Sequence, residues 1–132
     1  MKKDIPIKKV TDIAIAIVPD EVDTLFWNVY FLNLKDKDIK NVFINSRGYG
    51  EIDGEKVKTT QLRYFYELVG AQMAVKVEAI DSKLFQLANE YWISFSFDGF
   101  MYDKKYIFVP GSFIEENFTN IPIIEKRGVM IK

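Results

Sequence analysis

Glu90, Asp98 and Asp103 fall within fourteen residues of one another in a chain that has no histidine and no cysteine. Two carboxyl groups at a suitable distance, one protonated and one ionised, can cleave a glycosidic or similar bond. Without His and Cys, a Cys nucleophile, a disulfide and a Ser-His-Asp triad are excluded, and so are the ligands that zinc, copper, haem and iron–sulfur sites ordinarily use. An enzyme built from this sequence must run on carboxylates, Lys, Tyr or Ser. Local context accounts for two of the three acids: Asp98 precedes Gly99 in a turn, and Asp103 alternates onto a polar strand face opposite Ser94. Nothing in the sequence buries them, so the expectation is no catalytic residue, no metal site and no cofactor.

A second candidate is "SRGYGEIDGEK" at residues 46–56, with three glycines, an arginine and a lysine in eleven residues. A phosphate cradle needs its glycines to lead into a helix whose first amides hold the anion. Here the next residues, "VKTTQLRYFYELV", alternate like a strand. Gly48 and Gly50 are therefore read as a bulge or a close backbone approach, and Asp53-Gly54 as a hairpin turn.

The third candidate is a surface. Most of the twenty aromatics alternate toward a core, but Trp92 shares its face with Ser94, Ser96, Asp103 and Lys105. An indole beside a lysine stem is either ordinary surface or the anchor of a partner. Trp92, Asp103 and Lys105 are accordingly the candidate partner-binding residues, and also the place where a small ligand or a carboxylate-dependent reaction would sit.

The elements that must position these residues are strands. Ile13, Ile15 and Ile17 face one way and Ala14, Ala16 and Val18 the other, as in a strand covered on both sides. Residues 25–34 and "NVFINS" supply two more strands. Leu62, Tyr64, Tyr66 and Leu68 alternate with Arg63 and Glu67, and Met73, Val75, Val77 and Ala79 with Lys76 and Glu78. Asp81 or Ser82 caps a short helical stretch, and Ser112 with Glu115 reads as a capping box. Asp98-Gly99 between alternating aromatics specifies a two-residue hairpin, pairing Phe97 with Phe100, Phe95 with Tyr102, Ile93 with Lys104 and Trp92 with Lys105. Phe95, Phe97, Phe100 and Tyr102 then point inward.

Seven to nine strands with one or two short helical turns imply an all-β fold. The expected architecture is a single antiparallel β-sandwich, immunoglobulin-like, over residues 1–132, with a partly open barrel as the alternative. The net charge of −1 divides evenly enough between the halves that nucleic acid and anionic membrane are not expected partners. The start, "MKKDIPIKKV", has no apolar core of signal-peptide length, and with no cysteine the chain reads as cytoplasmic.

"MKKDIPIKKV", "RGYGEIDGEKVKT" and "NEYWISF" together with "YDKKYIFVPGSFIEENFTNIP" resemble a small family of single-domain proteins from Bacteroidetes. The likeness spans nearly the whole chain. Some members carry a name inherited from the phenylalanyl-tRNA synthetase alpha subunit, which implies an RNA or tRNA association. Arg63 precedes Glu67 by four positions, however, not by the two of the synthetase motif that grips ATP. The run from "IAIAIVPDE" to "NFTNIPII" is also similar to the β domain that precedes the Smr nuclease domain in mismatch-repair-like proteins, which implies a binding module. The functional expectation is therefore a non-enzymatic module for a protein partner or for self-association.

Overall fold

A computed structural model describes residues 9–132; the lysine-rich residues 1–8 lie outside the described residues. Ten strands form, one more than the sequence range: β1 (Ile13–Pro19), β2 (Phe26–Asn33), β3 (Ile39–Ile52), β4 (Glu55–Lys58), β5 (Leu62–Val69), β6 (Met73–Asp81), β7 (Ala88–Phe97), β8 (Phe100–Phe108), β9 (Thr119–Ile121) and β10 (Lys126–Ile131). They make two antiparallel five-stranded sheets, ordered β6-β2-β1-β10-β9 and β4-β3-β7-β8, with β5 also on β3. The sheets stay separate, so the fold is an all-β sandwich and no barrel closes. The 14 residues of β3 are long enough for β5 to take Ile39 to Ser46, and β4 to take Tyr49 to Ile52, along the edge that β7 leaves open.

The glycine-rich segment is the second half of β3 and its turn. Asp53 (φ 51°) and Gly54 (φ 80°) are both left-handed, as a two-residue type I′ turn requires. Asp98 (φ 51°) and Gly99 (φ 78°) repeat that geometry, and the β7–β8 register is the expected one, from Phe97↔Phe100 through Trp92↔Lys105 to Tyr91↔Tyr106. Between the sheets, Ile13, Ile15, Ile17, Val29 and Phe31 meet Ile44, Tyr91, Ile93 and Phe95. The far face of β1 is buried as well, with Ala14, Ala16 and Val18 in a second apolar cluster.

Three expectations are corrected. Phe100 is 44% exposed at the hairpin tip, because the sheet has no layer above its last turn. Ser112 makes no capping box: its hydroxyl donates to the Val109 carbonyl, and the short 3₁₀ turn Glu115–Asn117 starts at Ile114 with no side-chain cap. Leu62 and Leu68, on the inward side of β5, remain about half exposed at 47% and 51%, since β5 is an edge strand. The other helical expectation holds as a 3₁₀ turn, Ser82–Gln86, with the Asp81 carboxylate accepting the Lys83 amide at 2.9 Å. No helix among the described residues is long and apolar enough to cross a membrane.

Candidate functional site

The structure brings Trp92, Asp103 and Lys105 together on the solvent side of the second sheet. Trp92 and Lys105 are cross-strand partners, with the Lys105 ammonium 4.8 Å from the centre of the indole ring. Asp103 lies opposite Ser94, and with Asn45 and Trp92 these two line a hollow of about 210 Å³. A cation over an indole face is attractive and holds both side chains in place. Glu90 sits on the same face, clamped by the Arg47 guanidinium at 2.9 Å and receiving the Tyr49 hydroxyl at 3.3 Å. Glu90 and the Ser94 opposite Asp103 are four positions apart on β7, roughly 13 Å at strand rise. That exceeds the roughly 5–9.5 Å at which two carboxyl groups share a glycosidic bond.

Two phenylalanines extend this face toward β5. Phe43 and Phe65 are cross-strand partners with ring centroids 4.7 Å apart, and they stay 48% and 53% exposed. Ser94 is the neighbour of Phe43 on the other side, too short to cover it. Trp92 at 44% and Met101 at 66% continue the exposed apolar surface.

A second constellation was not visible from strand alternation. In the β2–β6 pairing Val29 faces Glu78 while Tyr30 faces Lys76, so Val77 is an extra residue, a β-bulge. A bulge shifts every later side chain to the opposite face. Ala79 therefore becomes exposed, Ile80 buried, and Glu78 turns inward between the sheets. There its Oε1 accepts the Tyr64 hydroxyl at 2.6 Å and the Ser46 hydroxyl at 3.1 Å, and its Oε2 accepts the Tyr91 hydroxyl at 2.9 Å. Burial, reinforced by the charge of Glu78, pushes both phenols above their ordinary range, so they serve as neutral donors. The sequence signal is "VKVEAI": apolar residues at 75, 77 and 80 step by two and then by three, the mark of one inserted residue.

Glu78 and Tyr91 are at the base of a cleft of about 340 Å³ with apolar walls from Phe26, Leu62, Ile80 and Leu84. Gly48 forms part of its rim. The Gly48 amide donates to the Thr59 hydroxyl at 2.7 Å, and a Cβ there would stand 3.0 Å from the Thr59 methyl, which is the close approach expected of that glycine. Every buried side-chain nitrogen and oxygen among the described residues already has a partner. Each buried polar atom of the Glu78 network thus has at least one partner within the chain.

Comparison with protein-family models, curated protein sequences and solved structures found no match.

Proposed function

We propose that the protein is a binding module that docks a protein partner on the solvent side of the β4-β3-β7-β8 sheet, along the strip from Trp92 through Phe43 to Phe65 at the β5 edge. The supporting observation is the Phe43–Phe65 pair, two large rings in contact with each other and each about half exposed. On a sheet face turned to water, alternation should supply polar residues. Contiguous exposed aromatic surface instead marks an interaction site, and aromatic anchors carry most of the binding energy at such sites. Trp92, Asp103 and Lys105 form the polar end of the strip, and a cysteine-free chain goes with a cytoplasmic partner. Arg47, Arg63 and Lys105 share the face with Glu90, Glu67 and Asp103, a balance that disfavours a phosphate backbone.

The test is affinity capture from the native cell with the wild-type chain and with Phe65→Ser, after both are shown to fold by circular dichroism. A protein retained in stoichiometric amount by the wild type and lost with Phe65→Ser supports the reading. Equal retention by both, or none by either, contradicts it.

A second reading, a small-ligand site, draws on the cleft above Glu78 more than on the hollow beside Trp92. A carboxylate has about four acceptor positions; Glu78 uses three of them, leaving one for a donor such as an amine. A thermal-shift screen of small amines would support it by a stabilisation that Glu78→Gln abolishes, and would oppose it by a flat response.

A further inference from the structure

We propose that the partner met at the β5 end of this strip is a second copy of the chain, joined edge to edge through β5, with the two β5 strands antiparallel about a two-fold axis at Phe65. The inference rests on the binding-module reading and names its occupant.

β5 pairs with β3 on one side, and among the described residues no strand lies on its other side. An open edge offers unpaired amides and carbonyls to another chain, and proteins normally blunt such edges with short strands, bulges, prolines or lysines. The other edges are blunted. β4 has four residues and β9 three; β6 carries the bulge at Val77 and has its Lys76 carbonyl capped by the Tyr66 hydroxyl at 3.4 Å. β8 carries Lys104 and Lys105. β5 has eight residues, "LRYFYELV", with no lysine or proline, and its register against β3 is unbroken.

Which backbone groups face the open edge follows from the hairpin. A two-residue loop makes Phe97 and Phe100 a mutually hydrogen-bonded pair, and such pairs alternate along antiparallel ladders. Carried through the β7–β3 and β3–β5 registers, this turns the backbone N–H and C=O of Arg63, Phe65 and Glu67 outward. A two-fold axis at Phe65 then pairs outward groups with outward groups, as a ladder requires.

In that register the side chains match themselves. Arg63 meets Glu67 of the second copy twice, Phe65 meets Phe65, Tyr64 meets Tyr66, and Leu62 meets Leu68. An isologous interface needs this self-complementarity. Leu62, Phe65 and Leu68, all about half exposed, gain apolar neighbours. Arg63 and Glu67 make no ion pair within the described residues. Being four positions apart on one strand, roughly 13 Å, they cannot pair with each other. Shifting the axis by half a residue would set outward groups against inward ones, shifting it by a whole residue would take Arg63 away from Glu67, and shifting it by two would set Arg63 or Glu67 against itself. The same operation on β8, about its outward-facing Asp103 or Lys105, would place like charges against each other, and an axis about Lys104 would set Lys104 against Lys104 even as Asp103 met Lys105.

Sedimentation or light scattering on the purified chain, over a range of concentrations, tests the pairing. The wild type should dimerise. Arg63→Glu and Glu67→Arg, each exposed and each setting like charges together twice, should weaken the dimer roughly tenfold or more. The double variant Arg63→Glu/Glu67→Arg should restore it, and mixing the two single variants should yield a heterodimer. Circular dichroism of each variant separates loss of pairing from loss of fold. A wild type still monomeric at about 1 mM, too weak for a specific assembly, overturns the inference, as does a dimer indifferent to these charges or not restored by the swap. If the chain is monomeric yet captures a different protein through Phe65, the binding-module reading survives and the second copy falls. If it also captures nothing, both fall.

Discussion

The two outward faces of the sandwich are built from the same alternation and end in opposite states. On β1, Ala16 has Tyr30 on one side and Met130 on the other, and Ala14 has Leu32 beside it. With Val18 and Ile121, Ala14, Ala16 and Leu32 form one buried cluster, against which Tyr30, Leu34, Ile124 and Met130 pack, so these three have no exposed surface. On β3, Phe43 stands between Phe65 and Ser94. Two large rings side by side cannot cover each other, and serine is too short to try. A sheet face closes where small residues lie beneath apolar side chains from neighbouring segments, and it stays open where large rings meet on a face with nothing among the described residues packed over them. On that difference rests the proposal that the open face binds while the closed face serves stability.

Several substitutions break or sharpen the contrast. Leu32→Ala on the closed face should cost about 2–5 kcal/mol, the range for a buried leucine whose cavity only partly collapses, whereas Phe43→Ala on the open face should cost about 1 kcal/mol or less. Equal losses in chemical denaturation would erase the distinction. Gly128→Ala should cost about 1–3 kcal/mol by overpacking, because its Cβ would stand 2.5 Å from the Ile17 carbonyl oxygen; an unchanged melting temperature would refute that close approach.

Glu78→Leu strands the Tyr91 hydroxyl, 1% exposed, and should cost about 1–3 kcal/mol. The same phenols set the alkaline limb. Their folded-state values lie above the ordinary range, so stability is complete below about pH 10 and falls as pH rises through and beyond it. Tyr91→Phe should make that fall shallower, and an unaltered alkaline limb would contradict the assignment.

The smallest effect belongs to Asp20 in the β1–β2 loop. Its carboxylate accepts the Asp23 amide at 2.8 Å, the Asn28 side chain at 2.9 Å and the Val22 amide at 3.0 Å. These bonds, the Asp23 amide foremost, lower it from 3.8 to about 2. A group lowered on folding stabilises above its unfolded value and ceases to as pH falls through the folded one. Asp20→Asn should thus flatten the acid limb between about pH 4 and 2, lowering neutral stability slightly, since the group is exposed, and leaving stability below about pH 2 unchanged.

Much of the fold was legible because local chemistry dictated it. Asp98-Gly99 accepts left-handed angles cheaply and thereby fixed every cross-strand pair from Phe97 to Tyr91. The both-sided burial of β1 was likewise written in "IAIAIV". What periodicity could not supply was the surroundings of a strand. Leu62 and Leu68 alternate like core residues, yet only a neighbouring strand could bury them, and the sequence of β5 does not say that β3 is its sole neighbour. Glu78 was missed for a different reason: alternation was carried straight through Val77, although Ile80 fits only if one residue is inserted. The candidates Trp92, Asp103 and Lys105 do share a face, because the hairpin register that unites them was already fixed. Phe43 and Phe65 escaped notice because they meet only when β3 and β5 pair.

Hydrogen exchange at the β5 edge tests most directly the claim that the open side around Phe65 is where the molecule associates. The amides of Arg63, Phe65 and Glu67 should become protected as protein concentration rises, while those of Met101 and Asp103 on the β8 edge go on exchanging freely. Fast exchange at all three β5 amides at every concentration, with the core amides of β1 still protected, would contradict the account.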